Sequence, residues 1–321
     1  MTEEKRGRPP DEADAPTRRQ ALIRLAAGST AALLGGGVEA QAPAVAAPLT
    51  RAIPATGEAV PVVGLGTWIT FNVGDDAVAR NGCADVMRAF FDAGGRMVDS
   101  SPMYGSSQAV IGHGLARTSA GSRVFSADKV WVSPGARGPA QIEASRRLWN
   151  VPRFDLLQVH NLLAWQEHLP TLLAMKAAGK LRYVGITTSE GRRHREIEQI
   201  MAGQPIDFVQ VSYNLLDREV EQRILPLARE RAIAVIANRP FRQGDLLQEL
   251  QRHRLPAWAA EIECDSWAQI ALKFIVSHPA VTCAIPATTS VAHVRQNMGA
   301  ARGRMPDAAM RQRMAAHVAA L

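Results

Sequence analysis

Short apolar runs alternate with amphipathic segments from residue 61 to the C-terminus, and this alternation constrains the fold more than any other feature. The apolar runs are nearly continuous, as expected for strands of a parallel sheet buried on both faces. The segments between them show helical spacing, as in Val78, Val86 and Phe90 ahead of the Gly94-Gly95 stop signal. Strands are predicted at residues 61–67, 96–99, 124–132, 154–160, 181–186, 207–212, 232–237 and 281–285. Helices are predicted at residues 75–93, 106–116, 138–149, 166–178, 192–201, 218–231, within 258–277, at 291–300 and from about 307.

Eight strand–helix units in roughly 275 residues match the size and repeat of an α/β fold, the (β/α)8 TIM barrel. Two short extended segments flank Thr56-Gly57 ahead of the first unit and predict a hairpin at the bottom of the barrel. A doubly wound sheet is the alternative. Such a sheet is expected to carry a Gly-x-Gly-x-x-Gly turn after its first strand, whereas Gly64-Leu65-Gly66 matches only the first spacing.

Four polar residues lie at or near the ends of the second to fourth predicted strands: Asp99, Tyr104, Lys129 and His160. Barrel enzymes place their reactive groups at the carboxyl ends of the strands, so these side chains are predicted to converge. Asp128 and Lys129 point to opposite faces of an extended strand, which leaves Asp99 as the expected partner of Lys129. An acid, a phenol, an amine and an imidazole together can move a proton to or from a carbonyl oxygen.

Composition places limits on the class of protein. The 321 residues are 47% hydrophobic and 21% charged, as in a globular protein. The net charge of +7 raises the question of nucleic acid, but the arginines are interleaved with acids and only three tyrosines are present for base stacking. We therefore expect no nucleic-acid partner, and a basic surface also suits an anionic cofactor. The three cysteines have no metal-like spacing, and we expect no metal site.

The first 46 residues are predicted to be a leader that precedes a barrel domain at 47–321. Arg18-Arg19 is followed by a modest apolar stretch and by small residues, with cleavage expected after Ala40 or Ala46. The arginine pair is typical of a twin-arginine signal, which predicts an encounter with that export machinery and a periplasmic location. If the leader does not function, the protein is expected in the cytoplasm. Glycines interrupt the apolar stretch, so no stable membrane span is predicted.

With these residues identified, the chain resembles the aldo-keto reductase family over residues 51–321. The early motifs are Val63-Gly64-Leu65-Gly66-Thr67-Trp68, Val98-Asp99-Ser100-Ser101-Pro102-Met103-Tyr104-Gly105, Lys129-Val130-Trp131 and Asp155-Leu156-Leu157-Gln158-Val159-His160-Asn161. Later motifs are Gly185-Ile186-Thr187-Thr188, Val209-Gln210-Val211, Ile285-Pro286 and Gln296-Asn297. Each motif is weak alone, and their order and spacing carry the resemblance.

The resemblance implies transfer of hydride from NAD(P)H to an aldehyde or ketone, with the family's catalytic residues at Asp99, Tyr104, Lys129 and His160. Tyr104 is then the proton donor, and the ammonium of Lys129 is expected to lower the pKa of its phenol. Asp99 holds Lys129, and His160 orients the carbonyl. The alternative is a non-catalytic barrel that binds a nicotinamide nucleotide and serves as a redox sensor or partner subunit. A third hypothesis is a metal-dependent hydrolase.

The resemblance also assigns binding residues. The cofactor contacts are predicted at Gly66, Thr67, Asp99, Thr187, Thr188, Gln210, Asn238, Arg239, Pro240, Phe241, Thr288, Thr289, His293, Gln296 and Asn297. The small carbonyl substrate is predicted to contact Trp68, Tyr104, Trp131, His160 and Asn161.

Two departures from the family pattern concern the cofactor. Asn238 stands where the family often stacks an aromatic ring, and Ala287 and His293 replace a lysine and an arginine that often bind the 2′-phosphate. Thr288, Thr289 and Ser290 can still hydrogen-bond phosphate near a helix N-terminus. NADP(H) is predicted over NAD(H).

Overall fold

A computed structural model describes residues 47–321, and in this part of the chain a hairpin precedes a closed parallel barrel. The hairpin pairs β1 (Thr50–Ala52) with β2 (Ala59–Pro61) in antiparallel fashion. The barrel strands are β3 (Leu65–Gly66), β4 (Met97–Asp99), β5 (Phe125–Val130), β6 (Phe154–His160), β7 (Leu181–Thr187), β8 (Phe208–Ser212), β9 (Ala234–Asn238) and β10 (Val281–Ala284). Each barrel strand pairs in parallel with the next along the chain.

The barrel closes where the first strand meets the last. Parallel bridges join Val63 to Ala284 and Gly66 to Ala287, and Gly66 N–H donates to the carbonyl of Pro286 at 2.9 Å. The approach is close enough that a Cβ at position 66 would lie 2.7 Å from the carbonyl oxygen of Ile285. Glycine at this position therefore permits the closure.

Residues 47–321 contain ten α-helices, which lie between the strands or after the last strand along the chain. They are α1 (Ala77–Asp92), α2 (Ser107–Thr118), α3 (Gly138–Trp149), α4 (Trp165–Ala177), α5 (His194–Gly203), α6 (Ile224–Glu230), α7 (Asp245–Leu250), α8 (Trp267–Val276), α9 (Val291–Gly299) and α10 (Ala308–Ala319). Several of them have an N-cap side chain. Asp76 accepts hydrogen bonds from the N–H groups of Val78 and Ala79 at the start of α1, and Ser266 accepts one from the N–H of Gln269 at the start of α8. None of these helices is long and apolar enough to span a bilayer.

Apolar side chains fill the lower interior of the barrel. Alternate residues of each strand point inward, and Phe125, Tyr183 and Phe208 contact one another there with ring centres 5.5 to 6.2 Å apart. The hairpin closes this end, since Ile53 and Val60 belong to the same buried cluster. The predicted barrel and its bottom hairpin are confirmed.

The structure corrects the prediction in two places. The helix predicted at 218–231 is a 3-10 turn (Glu219–Glu221) followed by the shorter α6. Pro226 explains the break, because proline is tolerated in the first turn of a helix but not in its middle. Helix α7 was not predicted: it has six residues and follows Gly244 in a left-handed conformation. The predicted leader, residues 1–46, lies outside the described residues.

Candidate active site

Polar side chains form the upper layer of the barrel interior. The same alternation that turns Phe125 and Leu156 inward near the bottom turns Lys129 and His160 inward near the carboxyl end. The buried polar side chains of this layer are Asp99, Lys129, Gln158, His160, Thr187 and Gln210. The barrel therefore changes from an apolar core to a hydrogen-bonded cluster within about two residues of strand.

Lys129 is at the centre of this cluster and is 1% exposed. Its ammonium donates to Asp99 Oδ1 at 2.5 Å and to the carbonyl of Ser100 at 2.7 Å. Burial is the largest single effect and lowers the pKa of Lys129, but the charge of Asp99, its hydrogen bond and the charges of Tyr104 and Asp128 together outweigh burial, and the pKa is raised. Lys129 is therefore a fixed positive charge, and its Nζ lies 5.1 Å from the centre of the Tyr104 ring.

Asp99 accepts hydrogen bonds on both carboxylate oxygens, which is the pattern of an ionised acid. Oδ1 receives Lys129, while Oδ2 receives Gln210 Nε2 at 2.9 Å and Gln158 Nε2 at 3.3 Å. The hydroxyl of Thr67 donates to the Asp99 carbonyl at 2.8 Å. The expected pairing of Lys129 with Asp99, rather than with its chain neighbour Asp128, is found.

Tyr104 is partly buried and lines the cavity beside this cluster. Burial raises the pKa of its phenol, and the charge of Lys129 opposes that shift without overcoming it. The expected lowering by lysine is thus present, but the net direction is upward. Tyr104 remains protonated across the neutral range, as a proton donor must.

His160 stands beside Tyr104, with ring centres 5.7 Å apart and the two rings nearly perpendicular. Burial, with a further contribution from the charge of Lys129, lowers the pKa of His160 to about 2. A hydrogen bond of 2.7 Å joins its Nδ1 to the hydroxyl of Ser101. The imidazole is therefore neutral, and its Nε2 remains for a ligand in the cavity.

A cavity of about 570 Å³ opens above the cluster. Most of the predicted site residues line it, namely Gly66, Thr67, Trp68, Asp99, Tyr104, His160, Asn161, Thr187, Gln210, Asn238, Arg239, Pro240, Phe241, Thr288, His293, Gln296 and Asn297. Four predicted residues do not. Lys129 and Thr188 are buried, Thr289 is exposed, and Trp131 is 41% exposed with its ring 6.4 Å from that of His160.

A network of side chains forms one wall of the cavity. Asn238 Nδ2 donates to the Thr188 carbonyl at 2.9 Å and to Gln210 Oε1 at 3.4 Å, and Asn238 Oδ1 accepts from Ser212 at 2.7 Å. Asn238, which stands where the family often has an aromatic ring, is thus fixed by hydrogen bonds. The buried hydroxyl of Thr188 has no partner among the described residues. Thr187 and Gln210, which do line the cavity beside this hydroxyl, carry a hydroxyl and an amide that fit an amide group such as that of nicotinamide.

The other end of the cavity is polar, with Thr288, His293, Gln296 and Asn297 in its lining. Thr288 Oγ1 lies 3.3 Å from His293 Nδ1, and Ser290 caps α9 by accepting from His293 N–H. Among the described residues that line the cavity, the cationic side chains are Arg192 and Arg239, and both pair with Glu190. Among the described residues that line this end of the cavity, no other lysine or arginine replaces the two that the family often has at the 2′-phosphate.

Several residues of the site are not predicted by the sequence motifs. The motifs that contain Ser101 and Gln158 assign them no role, and no motif contains Glu190, Arg192 or Gln243. Gln158 carried a usable signal, because it precedes His160 by two residues in one strand and so shares its face. The loop residues carried none, since their place at the cavity depends on how the loops fold back.

A neutral imidazole, a protonated phenol and a buried ion pair at the carboxyl end of a (β/α)8 barrel define a site for proton transfer to a carbonyl oxygen. The aldo/keto reductase family model matches residues 62–316, so the chain belongs to that family. It is accordingly an enzyme, an NAD(P)H-dependent oxidoreductase of aldehydes or ketones, and the predicted function is confirmed at that level.

Individual relatives agree with the family assignment. Methylglyoxal reductase YeaE of Escherichia coli is 31% identical over 245 residues, which cover 74% of this chain and 84% of the relative. An NADH-specific methylglyoxal reductase of the same organism is 26% identical over 230 residues, 61% of this chain and 68% of the relative. The crystal structure of an aldo-keto reductase from Klebsiella pneumoniae in complex with NADPH superposes with a TM-score of 0.72 at 25% identity, covering 84% of this chain and 95% of that one.

Proposed function

We propose that the protein reduces small reactive carbonyl compounds, with 2-oxoaldehydes such as methylglyoxal as the first candidates, and that Tyr104 donates the proton. The observation that carries this proposal is the ion pair of Lys129 and Asp99 beneath Tyr104 and His160 at one cavity wall. The names of two relatives, both methylglyoxal reductases, support the substrate class.

Each side chain has a defined part in the proposed reaction. NADPH, when bound, supplies the hydride. Tyr104 gives its proton to the carbonyl oxygen, and the positive charge of Lys129 stabilises the phenolate that remains. Asp99 keeps Lys129 charged and in place. His160, neutral and fixed by Ser101, hydrogen-bonds the carbonyl oxygen and orients it toward Tyr104.

The cofactor is proposed to be NADP(H) rather than NAD(H). The NADPH bound to the Klebsiella relative supports this assignment. Thr187 and Gln210 would hold the carboxamide, and Thr288, His293 and Asn297 would face the adenosine end. Two observations favour NAD(H) instead: one relative is NADH-specific, and the described lining of the adenosine end has no lysine or arginine for a 2′-phosphate. The kinetics with NADPH and with NADH must therefore be compared directly.

Steady-state oxidation of NADPH and NADH with methylglyoxal and a panel of aldehydes and ketones tests the proposal. We expect turnover with methylglyoxal and a higher kcat/KM with NADPH than with NADH. Tight binding of either nucleotide, measured by fluorescence titration, without turnover of any carbonyl would contradict it and favour the non-catalytic barrel.

Residues 1–46 are proposed to be a twin-arginine signal that directs the folded barrel to the periplasm. The support is the sequence alone: Arg18-Arg19, the apolar stretch after it and the small residues before position 47. A fusion of residues 1–46 to a reporter should be exported, and an Arg18→Lys, Arg19→Lys double variant should not. Export of that double variant would contradict the twin-arginine assignment.

A further inference from the structure

Gln158 is an uncharged polar side chain in the middle of the barrel interior, and it is 0% exposed. It lies in β6, opposite Lys129 of β5 and opposite Gly185 of β7 in the strand register. It does not line the cavity, so it has no contact with a substrate or cofactor placed there. A buried amide is costly unless its hydrogen bonds are satisfied, and an apolar residue would fill this position without that cost.

The amide of Gln158 is directed at Asp99. Its Nε2 lies 3.3 Å from Asp99 Oδ2, and its Oε1 lies 3.5 Å from Gln210 Nε2. Gln210 Nε2 in turn donates to the same Asp99 oxygen at 2.9 Å. The three side chains form a closed triangle, in which two amides hold one carboxylate oxygen and leave the other for Lys129.

The neighbouring strand makes room for this side chain. A Cβ at Gly185 would lie 3.1 Å from Gln158 Cγ and 2.9 Å from the carbonyl oxygen of Phe208. Gly185 belongs to a strand interior, where glycine weakens the strand. The glycine and the buried amide therefore fit each other, and together they place an amide donor at Asp99.

We propose that Gln158 is a positioning residue for the proton donor. It fixes the rotation of the Asp99 carboxylate, so that Oδ1 faces Lys129 and the ammonium stays beneath the Tyr104 ring. This inference rests on the proposed function, because it assigns Gln158 a role through Asp99 and Lys129.

The chain supplies a matched control. Gln108 is also a buried glutamine and also donates to an aspartate, since its Nε2 lies 2.6 Å from Asp128 Oδ2 and 2.9 Å from the Ser145 hydroxyl. Asp128 precedes Lys129 but points to the outer face of β5, toward the helices. Gln108 lies in α2, so Gln108→Leu removes a buried amide of the same kind from the outer face of β5, whereas Gln158 faces the barrel interior.

The test compares Gln158→Leu with Gln108→Leu in the full chain. For Gln158→Leu we expect kcat to fall about tenfold or more, because a buried charge loses a donor. KM for methylglyoxal and the Kd for NADPH should change less than about threefold. The alkaline limb of the pH–rate profile should move to higher pH, because a misplaced Lys129 lowers the pKa of Tyr104 less. Gln108→Leu should lower Tm and leave kcat and the pH profile as in the wild type.

The inference is overturned if Gln158→Leu changes only Tm, as its control does, or if it changes KM and Kd in place of kcat. Should Gln158→Leu fail to fold, Gln158→Met keeps the chain length of the side chain without the donor and is read by the same criteria. The proposed function fails in a different way: the wild type would then reduce no carbonyl, or Tyr104→Phe would retain full turnover.

Discussion

At the residue scale, the site depends on how burial and charge act on single groups. Tyr104 is the clearest case, because burial raises the pKa of its phenol while Lys129 opposes the shift. Tyr104→Phe removes the proton and leaves the ring. We expect kcat to fall roughly a hundredfold or more, the range that general acid catalysis contributes. The Kd for NADPH, measured by fluorescence titration, should stay within about twofold. Wild-type turnover in this variant would remove Tyr104 from its proposed role.

His160 gives a second prediction at this scale. Its pKa of about 2 is caused mainly by burial, and the neutral imidazole is therefore the only form present from pH 5 to 8. In an NMR titration, the ring resonances of His160 should not move in that range. The pH–rate profile should likewise show no step near pH 6.5 that His160→Gln abolishes. A midpoint between pH 5 and 8 for His160 would contradict the neutral role.

At the scale of elements, strand β5 carries two charged residues on opposite faces, and they behave differently. Lys129 faces the interior and is paired with Asp99. Asp128 is fully buried on the outer face, where it accepts hydrogen bonds from Gln108 Nε2 and from the backbone N–H of Lys129. Burial raises the pKa of Asp128 to about 7. The folded state therefore binds a proton that the unfolded state releases near pH 4.

The sign of this linkage gives a prediction for Asp128→Asn. A carboxyl with a raised folded-state pKa favours folding at pH 4 and below, and this contribution is lost as the pH rises toward 7. Asp128→Asn should consequently gain stability relative to the wild type between pH 4 and 8, by up to a few kcal/mol. Urea unfolding of both proteins at pH 4, 6 and 8 measures the difference. A difference that is constant with pH would show that Asp128 is ionised in the folded protein.

The same scale shows what could be predicted from the sequence and what could not. Helix α3 and strand β6 were predicted with their observed bounds, because apolar period and stop signals agreed there. The helix predicted at 218–231 failed because its apolar spacing is continuous while Pro226 interrupts its hydrogen bonds. Helix α7 failed because six residues are too few for a periodic signal.

For the site, strand positions were predictable and loop positions were not. Asp99, Lys129 and His160 lie on strands whose carboxyl ends must meet in a barrel, so their convergence followed from topology. Glu190 and Gln243 reach the cavity from loops, and no local pattern shows where a loop folds. The net effect of burial on Tyr104 was also not predictable, because it requires the packing of the folded state.

At the scale of the whole molecule, the contacts that anchor the hairpin and the residues of the active site lie at opposite ends of the described barrel. Arg51 of the hairpin donates to the carbonyls of His278, Val281 and Val276, which ties β1 to the chain that enters β10. This anchor lies at the amino-terminal end of the strands, whereas the site lies at the carboxyl end. In barrels of this kind, the first end serves stability and the second function.

Arg51→Met tests that division, because it keeps much of the apolar side chain and removes every donor. Three carbonyls lose a charged partner, so we expect a loss of about 2 to 4 kcal/mol in the free energy of unfolding. Below the temperature at which the variant unfolds, kcat and KM should stay within about twofold of the wild type, since no residue of the polar layer contacts Arg51. Arg51→Lys, which keeps the charge but not the forked geometry, should lose less stability than Arg51→Met. A variant that is as stable as the wild type would contradict the anchoring role of Arg51, and one that is folded but slow would show that the two ends of the barrel are coupled.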